Sequence, residues 1–161
     1  MISIFQNKIK KELESVRLEL RHSLSEQLEY MLSDLENEGR DVRFLDRTHR
    51  IKQLIERGAD PRTYCKIKKH STPTLHLACY FNDVELVQFL LESGAKANAQ
   101  DSNGDTPWHL LDNSQEAVEC LKLLLEAGAD PMIKNKMGED QFNFDYKGDM
   151  LVFLKEKCNI A

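Results

Sequence analysis

Two stretches decide how this chain is read. The first is Thr72-Pro73-Thr74-Leu75-His76-Leu77-Ala78, followed by Val84-Glu85-Leu86-Val87-Gln88-Phe89-Leu90-Leu91-Glu92-Ser93-Gly94-Ala95. The second is Gly104-Asp105-Thr106-Pro107-Trp108-His109-Leu110-Leu111, followed by Val118-Glu119-Cys120-Leu121-Lys122-Leu123-Leu124-Leu125-Glu126-Ala127-Gly128-Ala129-Asp130. His76 and His109 are 33 residues apart, and Gly94 and Gly128 are 34 apart. Thr106 before Pro107 is an N-cap followed by the residue best tolerated in a first helical turn. Thr72-Pro73 makes the same start one position early, which predicts a small shift of that helix. In the second helix of each unit, Val84, Val87, Leu90 and Leu91, then Val118, Leu121, Leu124 and Leu125, form the stripe of a helix buried on one side. Gly94 and Gly128 follow each helix, where a left-handed backbone costs glycine least. The first helices span about two turns, too short to stand alone. Units of this kind bury their apolar faces only by stacking on neighbours.

The period and the Thr-Pro-x-His helix start resemble the ankyrin repeat. The resemblance covers roughly two thirds of the chain, weakening outward from the centre. It implies an all-α solenoid of helix-turn-helix units, with short hairpin tips near 61–71, 97–105 and 130–138. It also implies that His76 and His109 are structural, their imidazoles bonding backbone between neighbouring repeats. Trp108 stands where the family prefers Leu, and Leu111 where it prefers Ala, which implies locally adapted packing.

Outward from the two clear units the pattern degrades. Ile51, Leu54 and Ile55 run into Arg57-Gly58-Ala59-Asp60-Pro61, with Gly58 lying 36 residues before Gly94. Residues 41–57 are therefore expected to form two short helices of a first repeat whose Thr-Pro start has become Asn37-Glu38-Gly39-Arg40. Toward the C-terminus, Asn135-Lys136-Met137-Gly138 echoes Asp101-Ser102-Asn103-Gly104, and 139–161 reads as a degenerate capping repeat. The expected division is an N-terminal helical cap over 1–36 and a repeat domain over 37–161 of about three repeats plus that C-terminal cap.

Residues 2–36 contain neither Gly nor Pro, and Phe5, Ile9, Leu13, Val16, Leu20, Leu24, Leu28, Met31 and Leu35 recur at steps of three or four. Eight steps span 30 residues, about 3.75 per step, closer to a straight helix than to a coiled-coil seam. Two readings are open: a cap laid on the first repeat, or a coiled coil that joins copies of the chain into a homodimer. The lost heptad phase favours the cap and a monomer. In that case Ile9, Leu13, Val16, Leu20, Leu24 and Leu28 are all expected to be buried. Glu12, Glu14, Glu19, Glu26 and Glu29 offset the basic residues, which argues against a membrane-surface helix.

Charge narrows the partner class. The net charge is −5, with 11 basic and 12 acidic residues in 1–60 and 11 and 15 in 61–161, so neither half reads as a nucleic-acid binder. Arg62, Lys66, Lys68, Lys69 and His70 could meet an acidic partner, but without glycine they build no anion nest, so a solvated loop is expected. Cys65, Cys79, Cys120 and Cys158 show no metal-ligand or disulfide spacing. No signal peptide or membrane span is visible, and a cytoplasmic protein is expected. No cofactor-binding loop, metal motif or nucleophile–base pair emerges, so no enzyme is expected.

The function that the resemblance implies is non-catalytic protein binding through a concave surface of hairpin tips and first helices. Carried onto this sequence, that surface is Lys69, His70, Thr72, Tyr80, Phe81 and Gln100, then Ser102, Asn103, Asp105, Asn113 and Ser114. Met137 and Glu139 would extend it. Tyr80 and Phe81 are the expected anchors, being of the residue types that dominate interfaces. Short ankyrin-like chains with an added helical segment also occur among secreted effectors of intracellular bacteria, a parallel by analogy alone.

Overall fold

The computed structural model describes residues 2–33, 43–67, 70–140 and 152. Helix α1 is Ile2–Ser33 and α2 is Arg43–Glu56. A hairpin of β1 (Tyr64–Ile67) and β2 (His70–Pro73) follows, then α3 (Thr74–Tyr80) and α4 (Val84–Glu92). A single 3-10 turn, Pro107–Leu110, precedes α5 (Gln115–Glu126). The fold is all-α in its layers, since the two strands are only a hairpin tip.

Three expectations are corrected. Residues 43–56 form one helix in place of two, because no Gly or Pro interrupts them and Thr48, Ile51 and Ile55 fall on one buried face. The hairpin tip expected near 61–71 is present, an antiparallel pair with Cys65 opposite Thr72 and Lys66 opposite Ser71. Pro73 ends it, as suits a residue with no N–H to donate. The second unit's first helix is the one 3-10 turn, not two turns of α-helix. Leu111 is already extended, and Asp112 Oδ1 accepts the Ser114 N–H at 2.8 Å, a local turn that competes with helix continuation.

The third correction concerns α1. Leu24 and Leu28 are buried at 2% and 0% exposure, but Leu13, Val16 and Leu20 stand at 65%, 61% and 55%. Length explains the difference. At 1.5 Å per residue α1 is about 48 Å long and α2 about 21 Å, so the repeat beside α1 cannot cover all of it. Arg21 reaches Asp60 at 3.0 Å, and the Asp60 N–H donates to Ser25 Oγ at 2.9 Å, fixing where α1 docks.

The core runs continuously from α1 to α5 through Leu28, Ile51, Leu75, Leu90, Trp108, Leu121 and Leu124. Polar ties cross between layers. Thr48 Oγ1 donates to Asp83 Oδ2 at 2.6 Å, and Asp83 also caps α4 by accepting the Leu86 N–H. Lys52 pairs with Glu85 and sits 5.7 Å above the Phe89 ring. Gly94 and Gly128 end α4 and α5 at φ 96° and 82°, the left-handed backbone expected of them. The expected C-terminal capping repeat beyond residue 140 and the lost start at 37–40 lie outside the described residues.

Candidate interaction surface

The surface is built by loops that are stitched together before any partner arrives. Asp101 Oδ1 accepts the N–H groups of Asn103 and Asp105, and 34 residues on Asn135 Oδ1 accepts those of Met137 and Glu139. Each loop is thereby locked by its own first side chain. Successive loops are then joined. The Ser102 N–H donates to Ser71 O at 3.2 Å, and the Lys136 N–H donates to Asn103 O at 3.0 Å. Asn135 Nδ2 donates to Asp105 Oδ1 at 2.9 Å, while Lys136 Nζ reaches Ser102 O at 2.6 Å. Gly104, at φ 80°, is part of the joint: a Cβ there would lie 2.9 Å from the Lys136 nitrogen.

The two histidines serve the same joints. His76 Nε2 donates to Asp105 O at 2.7 Å, and His109 Nε2 donates to Glu139 O at 3.1 Å. Both imidazoles are buried and each bonds the backbone of the next loop, as the resemblance implied. Burial pushes the His76 pKa down to about 4, against the opposing pull of the Asp105 carbonyl. Burial likewise raises the Cys79 thiol and lifts Cys120 to about 12, so neither is a ready nucleophile.

Against this frame the expected contact residues divide. Tyr80 is 43% exposed and meets Phe81 edge-on, with centroids 5.1 Å apart and planes at 81°; Phe81 is half-buried. Gln100, Asn103 and Asn113 are exposed, and Ser102, Asp105 and Ser114 are half-buried. Several carry structural work as well. Gln100 Nε2 donates to Gly104 O and Lys134 O, Asp105 holds Asn135, and Ser114 caps α5 by accepting the Ala117 N–H. Thr72 is a correction. Paired in the hairpin and 8% exposed, it is too covered to meet a partner, because β2 packs directly ahead of α3. His70 contributes backbone to β2, and Lys69 lies outside the described residues.

The loop beyond α5 adds what the family pattern did not single out. Met132 is 59% exposed, and Met137 at 75% extends the row. Asn98 was also missed. Its side chain donates to Gly128 O and accepts the Asp130 N–H, both at 2.8 Å, tying one repeat to the next. The signal for it is weak in sequence, because an Asn in a loop is equally at home in water.

A separate groove of about 710 Å³ lies between α1 and the first hairpin, lined by Arg21, His22, Ser25, Glu26, Asp60 and Tyr64 among others. Its charges answer one another. Arg62 and Arg21 hold Asp60, whose pKa drops to about 2 chiefly through the Arg62 hydrogen bonds, and His22 Nδ1 lies 3.3 Å from Glu26. Among the described residues no group of three or more His, Cys, Asp or Glu is placed to hold a metal ion, and no helix is long and apolar enough to cross a membrane.

Comparison with known proteins agrees with this geometry. A family model described as ankyrin repeats, in three copies, matches residues 42–135. The E3 ubiquitin-protein ligase KEG of Arabidopsis thaliana is 33% identical over 110 residues, which is 68% of this chain and 6% of that protein. The ADP-ribosylation factor GTPase-activating protein AGD4 of the same plant is 31% identical over 109 residues, 61% of this chain and 14% of its own. Ankyrin repeat and SOCS box protein 16 of Homo sapiens is 40% identical over 78 residues, 48% of this chain and 16% of its own. The chain therefore spans between 6% and 16% of the length of these three relatives. With three repeats matched over more than half its length, and both central units joined by the same histidine-to-carbonyl bond, the chain belongs to the ankyrin-repeat family.

Proposed function

We propose that this chain is a non-catalytic protein-binding module that acts in the cytoplasm, with Tyr80 and Phe81 as the anchors of its contact surface. Ankyrin repeats generally mediate protein–protein interaction, and a solenoid supplies a surface without supplying a chemistry. The observation that carries the reading is the edge-to-face pair at α3's end. A tyrosine left 43% exposed and held edge-on by a half-buried phenylalanine is a rigid aromatic platform with a polar tip. Gln100, Asn103 and Asn113 add exposed polar groups to the surface, and Met137 an adaptable apolar one. A net charge of −5 argues for a protein partner over a nucleic acid or an anionic membrane.

The test is affinity capture with the full chain beside a Tyr80→Ala/Phe81→Ala variant, followed by thermal melting of both. Loss of a captured protein from the variant, with folding retained, supports the assignment. Capture of the same protein by both chains places the contact elsewhere.

A further inference from the structure

The exposed half of α1 carries an unpartnered seam. Every residue from Lys10 to Ser23 is exposed, among them Leu13, Val16 and Leu20. A run of that length has marginal helicity by itself in water, and three of its four large apolar residues stand on one line, Leu18 being the exception. At 100° per residue those three side chains fall within an arc of about 60°. Ser23 and Gln27 continue the same line, exposed. The residues that dock α1 on the repeats, Arg21, Leu24, Ser25 and Leu28, centre roughly a third of a turn around the helix. A second helix can therefore lie along the seam without displacing the core.

This separation explains the 3.75-residue advance of the sequence stripe. Each step precesses by about 15°, carrying the apolar residues from the solvent seam at 13–20 onto the core face at 24 and 28. Averaged over the helix the heptad phase is lost, but within the seam it is kept. Leu13, Val16 and Leu20 occupy successive a, d and a positions, and Ile9 extends the spacing in the sequence.

We propose that the seam is occupied by α1 of further copies of this chain, in a parallel coiled coil. Charge sets the direction. With Leu13 at a, Glu12 falls at g and Arg17 at the following e, a complementary pair between parallel helices. Antiparallel helices would instead set Glu12 against Glu19 and Lys10 against Arg17, like charges in both cases. Leucine at a with β-branched residues at d suits three or four strands better than two, so the assembly is a trimer or tetramer.

The experiment is sedimentation equilibrium of the full chain at tens of micromolar, beside Leu13→Asp/Leu20→Asp, Glu12→Arg and Glu12→Arg/Arg17→Glu variants. All the altered residues are exposed, so an unchanged circular dichroism melt of the repeats serves as the folding control. The expected result is a mass of three or four chains that falls to one in the Asp variant. Glu12→Arg should weaken association at least several-fold, and the charge-swapped double variant should restore it. A monomeric full chain overturns the proposal, and so does tighter association of Glu12→Arg, which marks antiparallel pairing.

Discussion

The backbone N–H of Thr106 donates to Nδ1 of His109 at 3.1 Å, closing a loop between a helix cap and the imidazole three residues on. The Thr106 hydroxyl lies 2.8 Å from the same nitrogen, so both donors point at it and the imidazole proton resides on Nε2. In the preceding repeat the extra Thr74 shifts the register, and the residue three before His76 is Pro73, which has no N–H. His76 Nδ1 is accordingly buried without a partner among the described residues. A buried acceptor left unmet costs about 1–3 kcal/mol.

Pro73→Thr should therefore stabilise the protein, although replacing a proline ordinarily costs about 0.4–1 kcal/mol through the unfolded chain. The new residue repeats the arrangement at Thr106 and offers Nδ1 both a backbone and a hydroxyl donor. A net gain of about 1 kcal/mol in urea denaturation is expected. A loss of stability would show that Nδ1 is already satisfied.

The same imidazole makes stability depend on pH. Its folded pKa, about 4, lies below the ordinary 6.5, so between these values the unfolded chain binds the extra proton. Stability from this group is full above about pH 6.5 and is lost as the pH falls toward 4, by on the order of 3 kcal/mol at most. His76→Gln should flatten the pH 4–6.5 limb of the stability curve, measured by denaturant midpoint, while lowering the curve at pH 7.

Gly104→Ala should be worse than Gly128→Ala. Both glycines hold φ near 80°, a conformation costing an L-residue about 1–2 kcal/mol, but only Gly104 faces backbone, 2.9 Å away at Lys136. Nothing lies within 4 Å of a Cβ at Gly128. The difference should exceed about 1 kcal/mol in paired melts, because displaced backbone also loosens the Lys136 N–H bond to Asn103. Equal costs would mean that the two loops can separate freely.

Along α1, burial predicts a sharp contrast. Leu28→Ala removes a side chain with no exposure and should cost about 2–5 kcal/mol of repeat stability. Leu20→Ala, at 55% exposure, should leave the repeat melt within about 0.5 kcal/mol of wild type at dilutions where chains are separate. A large loss from Leu20→Ala would place that residue in the core.

The sequence by itself determined the repeat. Period-3.6 stripes and Gly94 and Gly128 are local devices, whose physics is complete within a dozen residues, and each sits in the structure where its spacing put it, whereas Thr72-Pro73 lies in β2 and α3 starts only at Thr74. The histidine roles came from the resemblance and not from local physics, since each bond reaches a loop about 30 residues on, and the resemblance also pointed to the exposed Tyr80, Gln100, Asn103 and Asn113. Tertiary structure decided the rest. Thr72 is buried because the hairpin in front of α3 pairs it with Cys65, a contact no local pattern announces. The 3-10 turn at Pro107 depends on how the Asp112 carboxylate bonds the next turn. The stripe of α1 looked like one face because spacing averages over a helix, whereas burial depends on which neighbour each turn meets. Only the packed chain shows that Leu28 meets the core while Leu13, about four turns earlier and about 60° around the helix, meets water.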